Sequence, residues 1–198
     1  MIKNVIFDIG NVLLDFCWKD HIARFGFQGE KADRIAQAMM LGPIWSKLDL
    51  GLESDEDILE QFVAHTPELE QEIRLVFSDL STIVREYEGS VDWIESLKAR
   101  GYHTYYLSNY GERIRREASK ELSFLSHMDG GIMSYTVHLA KPDPAIYQTL
   151  LDRYGLKAEE CVFLDDTVRN VEAAQALGIA GIVVTSQEQA KKELETLL

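Results

Sequence analysis

The sequence predicts an α/β fold, a doubly wound parallel sheet with helices on both faces, interrupted by one all-helical insert. Three observations predict it. Short apolar runs recur along the chain, each closed by small polar or acidic residues: Val5–Phe7 before Asp8, Tyr105–Leu107 before Ser108-Asn109, Val162–Leu164 before Asp165-Asp166, and Gly181–Val184 before Thr185-Ser186. Runs of this length and closure are buried strands ending in turns. Helical patterns separate the last three, and that alternation spells crossovers between parallel strands. Residues 15–88 break the alternation with no convincing strand of their own.

The elements follow in order. After the first strand, the insert offers helical segments near Lys19–Phe25, Lys31–Met40, Asp55–His65 and Pro67–Arg85. Ser54 followed by Asp57 resembles a capping box with Asp in place of Glu. Val91, Ile94 and Leu97 then recur at helical spacing, and Gly101 follows as a stop signal. Pro142 and Pro144 open a helix with Ile146, Tyr147, Leu150, Leu151 and Tyr154 on one face. Val171, Ala174 and Leu177 make another, stopped by Gly178. The expected organisation is a core of residues 1–14 and 89–198 and a helical cap of residues 15–88.

Composition narrows the function. The 198 residues carry 33 acidic and 20 basic side chains, a net charge of −13, with 46% hydrophobic residues. This is the composition of a globular chain with a core. The charge argues against nucleic acid and against anionic lipid, both of which select basic surfaces. Cys17 and Cys161 are far apart and fit neither a disulfide framework nor a zinc site. Reduced thiols, the absence of a signal-peptide pattern in MIKNVIFDIG and the absence of a run of about 20 apolar residues suit a cytoplasmic protein. The expected partner is a small molecule, with the chain a monomer or a homodimer.

Ligands of such sheets bind at the carboxyl ends of the strands, so the polar strand ends point into one crevice. Four elements meet there: Asp8-Ile9-Gly10-Asn11, Ser108-Asn109, Lys141-Pro142-Asp143-Pro144, and Asp165-Asp166 with Asn170 four residues after Asp166. Taken singly, each has a plain reading as a turn, a cap or a surface lysine. Taken together, three carboxylates at strand ends call for a cation, and hard oxygen donors suit Mg²⁺. A Lys, a Ser hydroxyl and backbone N–H groups at helix starts suit a phosphate. A carboxylate beside both is a candidate covalent nucleophile.

This set, in this order and across the whole chain, resembles the haloacid dehalogenase superfamily of hydrolases, with a Rossmann-like core and a helical cap. The Asp-x-Gly-Asn motif at Asp8 and the Gly-x-x-Ser stretch at Gly51–Ser54 are most similar to the bacterial sugar-phosphatase branch typified by alpha-D-glucose-1-phosphate phosphatases. The resemblance implies Asp8 as the nucleophile and Ser108 with the Asn109 backbone as phosphate binders. It implies Lys141 as the charge-neutralising cation. Asp8, the Gly10 carbonyl and Asp166 would hold Mg²⁺, and Asp165 and Asn170 would lie just outside, orienting Lys141 or metal-bound water.

One position departs from the family pattern. Most such phosphatases carry a second Asp two residues after the nucleophile as general acid and base; here Gly10 stands there and has no proton to give. That argues against phosphomutase chemistry and favours an acidic leaving group such as the anomeric hydroxyl of a sugar 1-phosphate. Asp15 and Asn11 are candidate substitutes. The same gap keeps open a 2-haloacid dehalogenase acting on carbon, and a phosphate-binding regulatory protein without activity. In the cap, Trp45, Lys47, His21 and Met39-Met40 are candidates for lining the substrate pocket, as is Tyr110 in the core.

Overall fold

The computed structural model describes residues 1–198. In chain order the elements are β1 (Asn4–Phe7), β2 (Leu14–Phe16), α1 (Trp18–Arg24), α2 (Gly29–Ala38), α3 (Trp45–Leu50), α4 (Asp55–His65), α5 (Glu70–Phe77), β3 (Val84–Glu86), α6 (Ser90–Ala99), β4 (His103–Ser108), α7 (Glu112–Glu117), β5 (Gly130–Met133), α8 (Pro144–Tyr154), β6 (Cys161–Asp165), α9 (Val168–Ala176), β7 (Ala180–Val183) and α10 (Gln187–Glu195). The sheet is wholly parallel with strand order β5-β4-β1-β6-β7. The chain leaves the central β1 for β4 and β5 on one side, then crosses to β6 and β7 on the other. Residues just beyond β1 therefore lie at the topological switch point, where this architecture opens a crevice.

Alternation within the strands explains the two helical layers. Val5 and Phe7 point to one face and Ile6 to the other, as the two-residue period requires. The first face joins a cluster of 41 buried residues that takes in Trp93, Ile94 and Leu97 of α6 and Ala190 and Leu194 of α10. That cluster runs on without a break into the insert, through Ile35, Phe62 and Phe77. The second face packs Ile6, Leu107 and Phe163 under Ile146, Tyr147, Leu150 and Leu151 of α8. Edge-to-face ring pairs lock each layer, Phe7 on Trp93 at 4.9 Å and Tyr147 on Phe163 at 5.7 Å between centroids.

Local signals set the helix ends. Asp143 caps α8 by accepting the Ala145 N–H at 2.9 Å, and Gly155 ends it at φ 63°. Ser54 accepts the Asp57 N–H at 3.1 Å, while its own hydroxyl donates to the Asp57 carboxylate. This is half of a capping box: the Asp side chain takes the Ser54 hydroxyl, not its backbone N–H.

The insert differs from its sequence reading in three places. It is not free of strands, because β2 and β3 pair antiparallel at its base, Leu14 opposite Glu86 and Phe16 opposite Val84. The helix expected over Pro67–Arg85 ends at Phe77, and the chain turns through Asp79 into β3. A six-residue helix, α3, stands where none was expected. Three-residue strands carry too little periodicity to be seen in sequence; they form here because two distant segments meet. In the core, β5 also went unpredicted, since Gly130-Gly131 dilutes its apolar pattern.

Gly131 has a packing reason. A Cβ there would run into the ring and carbonyl of Tyr106 on the neighbouring strand. Gly131→Ala is expected to cost about 1–3 kcal/mol, the usual scale of overpacking, read as a lowered urea midpoint with an unchanged slope.

Candidate active site

The register of the sheet brings the strand ends together. Phe7 pairs with Tyr106 on one side and Leu164 on the other, so Asp8, Ser108 and Asp165 all emerge at one edge. The Asp8 N–H donates to the Leu164 carbonyl at 2.8 Å, which continues the ladder one residue past β1. The chain then turns sharply: the N–H groups of Val12, Leu13 and Leu14 all reach the Ile9 carbonyl, and Asn11 adopts φ 55°. That conformation suits Asn better than any other side-chain-bearing residue, and it aims the Asn11 amide at Asp166 Oδ2, 2.8 Å away.

Asp8 is buried and its two oxygens differ. Oδ1 accepts the Ile9 N–H at 2.7 Å, the Ser108 hydroxyl at 2.6 Å and the Lys141 ammonium at 2.9 Å. Oδ2 has no hydrogen-bond partner. Burial pushes the Asp8 carboxyl up to about 6, with Lys141 pulling it back and Asp165 adding to the rise.

Lys141 is the buried cation of the site. Its Nζ lies 2.6 Å from Asp165 Oδ2 and 2.9 Å from Asp8 Oδ1, and 5.2 Å from the Phe163 ring centroid. Burial alone would depress the ammonium, but Asp8 and Asp165 outweigh it and hold it above its ordinary value. The backbone of Lys141 is clamped by Asn109, whose Oδ1 accepts the Lys141 N–H at 2.8 Å and whose Nδ2 donates to the Lys141 carbonyl at 3.0 Å. The side chain of Asn109 thus places Lys141.

Asp165 is fully buried, and its oxygens are taken up by Lys141, by the Thr167 N–H at 2.8 Å and by Asn170 Nδ2 at 3.1 Å from each oxygen. It anchors Lys141. Asp166 is half-buried and accepts only from Asn11 and, at 3.3 Å, the Thr167 hydroxyl. One oxygen of each of Asp8, Asp165 and Asp166 falls within a common span of 4.8 Å. A hard divalent cation fits this all-oxygen set, and with Asp165 engaged elsewhere, Asp8 and Asp166 are the carboxylates free to hold it.

A cavity of about 230 Å³ opens above these groups. Asp8, Gly10, Asn11, Ser108, Asn109, Asp166 and Thr167 form its floor, while Leu14, Phe16, Trp45, Val84, Tyr110 and Ile114 form an apolar wall. Trp45 and Tyr110 are the pocket candidates that line it. Met39 and Met40 are buried in the core instead, and His21 is buried between Thr82 and the Val76 carbonyl. Lys47 bonds Gln61 at 2.6 Å and pairs with Glu53. Asp15 lies on β2 outside the lining, where it accepts the Cys17 thiol at 3.2 Å. Neither proposed substitute for the missing acid serves: Asp15 is outside the cavity, and Asn11, an amide, is committed to Asp166.

Sequence reasoning missed Asp49, which also lines the cavity. A signal was available. Trp45 and Asp49 are four residues apart, and Gly51 in the left-handed region at φ 61° closes the helix behind them. A short helix with that spacing shows both side chains on one face.

The family of haloacid dehalogenase-like hydrolases matches residues 2–178, from before β1 to beyond α9. The chain belongs to this family. Acyl-CoA dehydrogenase family member 10 of Mus musculus is 32% identical over 99% of the chain, which spans 19% of that protein. Half of the chain is 36% identical to the bifunctional epoxide hydrolase 2 of Sus scrofa and covers 19% of it, so the match spans about a fifth of each of these first relatives. Sesquiterpene phosphatase astK of Aspergillus oryzae is 25% identical over 99% of this chain and 96% of its own. A phosphorylated carbohydrates phosphatase of Thermotoga maritima is 30% identical over 71% and 63%. Among solved structures, a haloacid dehalogenase family enzyme of Bacteroides thetaiotaomicron in complex with magnesium and inorganic phosphate superposes with a TM-score of 0.71, at 22% identity over 94% and 96% of the chains. L-2-haloacid dehalogenase of Xanthobacter autotrophicus superposes at 0.69, with 19% identity over 99% and 83%. These two likenesses establish the fold of this haloacid dehalogenase-like hydrolase. No helix in it is long and apolar enough to cross a membrane.

Proposed function

We propose that this hydrolase is a Mg²⁺-dependent phosphatase of a small phosphorylated metabolite, working through an aspartyl-phosphate on Asp8. One observation carries the reading: Oδ1 of Asp8 is held by Lys141, Ser108 and the Ile9 N–H while Oδ2 has no partner in the protein, and an Asp166 oxygen lies within 4.8 Å of the Asp8 carboxylate. Three donors on Oδ1 fix the orientation of the carboxylate, so that one oxygen can attack while the other faces the metal. Phosphoryl transfer asks the protein mainly for this kind of positioning and charge compensation. Ser108 and the Asn109 N–H are assigned to the phosphoryl oxygens, Lys141 to their negative charge. Asp8, Asp166 and the Gly10 carbonyl would hold Mg²⁺, which when bound supplies further charge neutralisation at the phosphoryl group.

The phosphatases among the relatives support this reading, and the magnesium and phosphate of the Bacteroides neighbour fit it. For the substrate we favour a sugar phosphate, following the resemblance of the Asp8 motif and the carbohydrate phosphatase relative. The apolar wall of Phe16, Trp45 and Ile114 would receive the ring, while the phosphate reaches the polar floor. The partner is then a small molecule, with nucleic acid and membrane surfaces excluded by charge, and a cytoplasmic monomer or homodimer remains our proposal.

Turnover of p-nitrophenyl phosphate with and without Mg²⁺ tests the reading. The expected result is turnover that EDTA abolishes and Mg²⁺ restores. Inorganic phosphate should bind on the order of 10²-fold more weakly without metal, because each charge pair near 4 Å contributes roughly 1–4 kcal/mol and Asp8, Asp165 and Asp166 then face the anion. Halide release from a 2-haloacid without metal would instead establish carbon chemistry. Binding of beryllium fluoride with no turnover would establish a regulatory protein.

A further inference from the structure

Gly10 leaves the site without the proton carrier of an ordinary phosphatase, and the position is not filled from elsewhere: no atom beyond residues 9–11 lies within 4 Å of where its Cβ would be. We propose that Asp49, reaching the cavity from the cap helix α3, is the acid–base residue of this site. This rests on the phosphatase reading above.

Four observations carry it. Asp49 and Asp8 line the same cavity. The Asp49 carboxylate forms no ion pair and no hydrogen bond within the protein, unlike Asp8, Asp165 and Asp166. The backbone around it is fastened to the catalytic core: the Ser134 hydroxyl donates to the Asp49 carbonyl, His138 Nδ1 lies 2.8 Å from the Leu50 carbonyl, Leu48 packs on Gly111, and Gly51 is seated against Tyr135. Ser134 also accepts the Tyr110 N–H at 2.9 Å, which ties this anchor to the segment just after Ser108-Asn109. Finally, Tyr110 borders the same cavity, so the residue just after Ser108-Asn109 shares its lining with Asp49. Burial pushes the Asp49 carboxyl up to about 7, with Asp8 adding to the rise and Lys141 opposing it. A carboxyl so held populates both its acid and its carboxylate form near neutral pH, which suits a group that gives and later takes a proton.

The steps balance. As the bond from an Asp8 carboxylate oxygen to phosphorus forms and the bond from phosphorus to the leaving oxygen breaks, the Asp49 carboxylic acid gives its proton to that oxygen and an alcohol departs. Water then attacks the aspartyl-phosphate; its proton goes to the Asp49 carboxylate, inorganic phosphate is released, and Asp8 returns as a carboxylate. With Asp49 in this role the chain is not confined to acidic leaving groups, and the preference for anomeric phosphates inferred from Gly10 no longer follows.

First-turnover rates of Asp49→Asn on two substrates test the assignment. p-Nitrophenolate leaves without needing a proton; the alkoxide of 2-phenylethyl phosphate does not. The ratio of the p-nitrophenyl rate to the phenylethyl rate is expected to rise on the order of 10²–10⁴-fold in the variant, the span of general acid catalysis. Asp49→Ser should give the same ratio. A beryllium fluoride adduct on Asp8, followed by ¹⁹F NMR, reports that the variant sites are assembled. If both rates fall alike, or neither falls, Asp49 only shapes the pocket, and the assignment fails while the phosphatase reading stands. If the wild-type protein with Mg²⁺ turns over neither ester, the phosphatase reading itself fails and takes this one with it.

Discussion

Asp8→Asn is expected to remove phosphate-ester turnover by on the order of 10⁶-fold, the scale of losing a covalent nucleophile, while leaving the fold intact. The two parts of that expectation have separate causes. The amide cannot form the acyl-phosphate, so the first step is lost outright. The geometry, however, tolerates an amide. Asn Oδ1 can still accept from the Ile9 N–H and the Ser108 hydroxyl, and the new NH₂ replaces an oxygen that has no protein partner. Lys141 keeps Asp165 as its counter-ion at 2.6 Å. The melting temperature of the variant should therefore stay within a few degrees of wild type. A variant that retains more than about one per cent of turnover, with contaminating phosphatase excluded by a mock purification, would remove Asp8 from the nucleophile's role.

Lys141→Ala should damage both activity and stability. Its ammonium is buried with Asp8 and Asp165, and Asp165 is fully enclosed. Removing one partner of a buried ion pair leaves an uncompensated charge and costs about 3–5 kcal/mol. Asp165 retains bonds from Asn170 and Thr167, which soften but do not replace the lost cation. Urea unfolding measures this directly. The double variant Lys141→Ala/Asp165→Asn is expected to recover part of the loss, because the amide carries no charge to strand, and such a cycle isolates the pair. Turnover should not recover in the double variant, since the cation facing the phosphoryl group is still missing. Recovery of turnover along with stability would show that Lys141 is scaffolding only.

The parallel core was legible in the sequence because its strands are buried on both faces. Val5–Phe7 and Val162–Leu164 must then be apolar throughout, and a polar residue directly after them marks the strand end. The candidate site was legible for the same reason: Asp8, Ser108 and Asp165 are the first polar groups after apolar runs, and the strand-end rule converges them. The base of the cap was not legible. β2 and β3 are three residues each, and neither has a pattern until Leu14 and Phe16 meet Glu86 and Val84 across more than 65 positions of chain. Asp49 was hidden for a related reason. Its surroundings in sequence, Lys47-Leu48-Asp49-Leu50, fall where no element was expected; the docking of Gly51 on Tyr135 and of Leu48 on Gly111 holds this stretch at the cavity.

By itself the sequence determined the class of fold, the family resemblance and the catalytic edge, because those depend on periodicity and on residues a few positions apart. Only the tertiary structure decided that Asp165 is spent on Lys141, that Asn109 clamps the Lys141 backbone, and that a cap carboxyl shares the cavity with Asp8. Those facts depend on distances between residues 24 to 41 positions apart, which hydrophobic patterning does not encode and packing does.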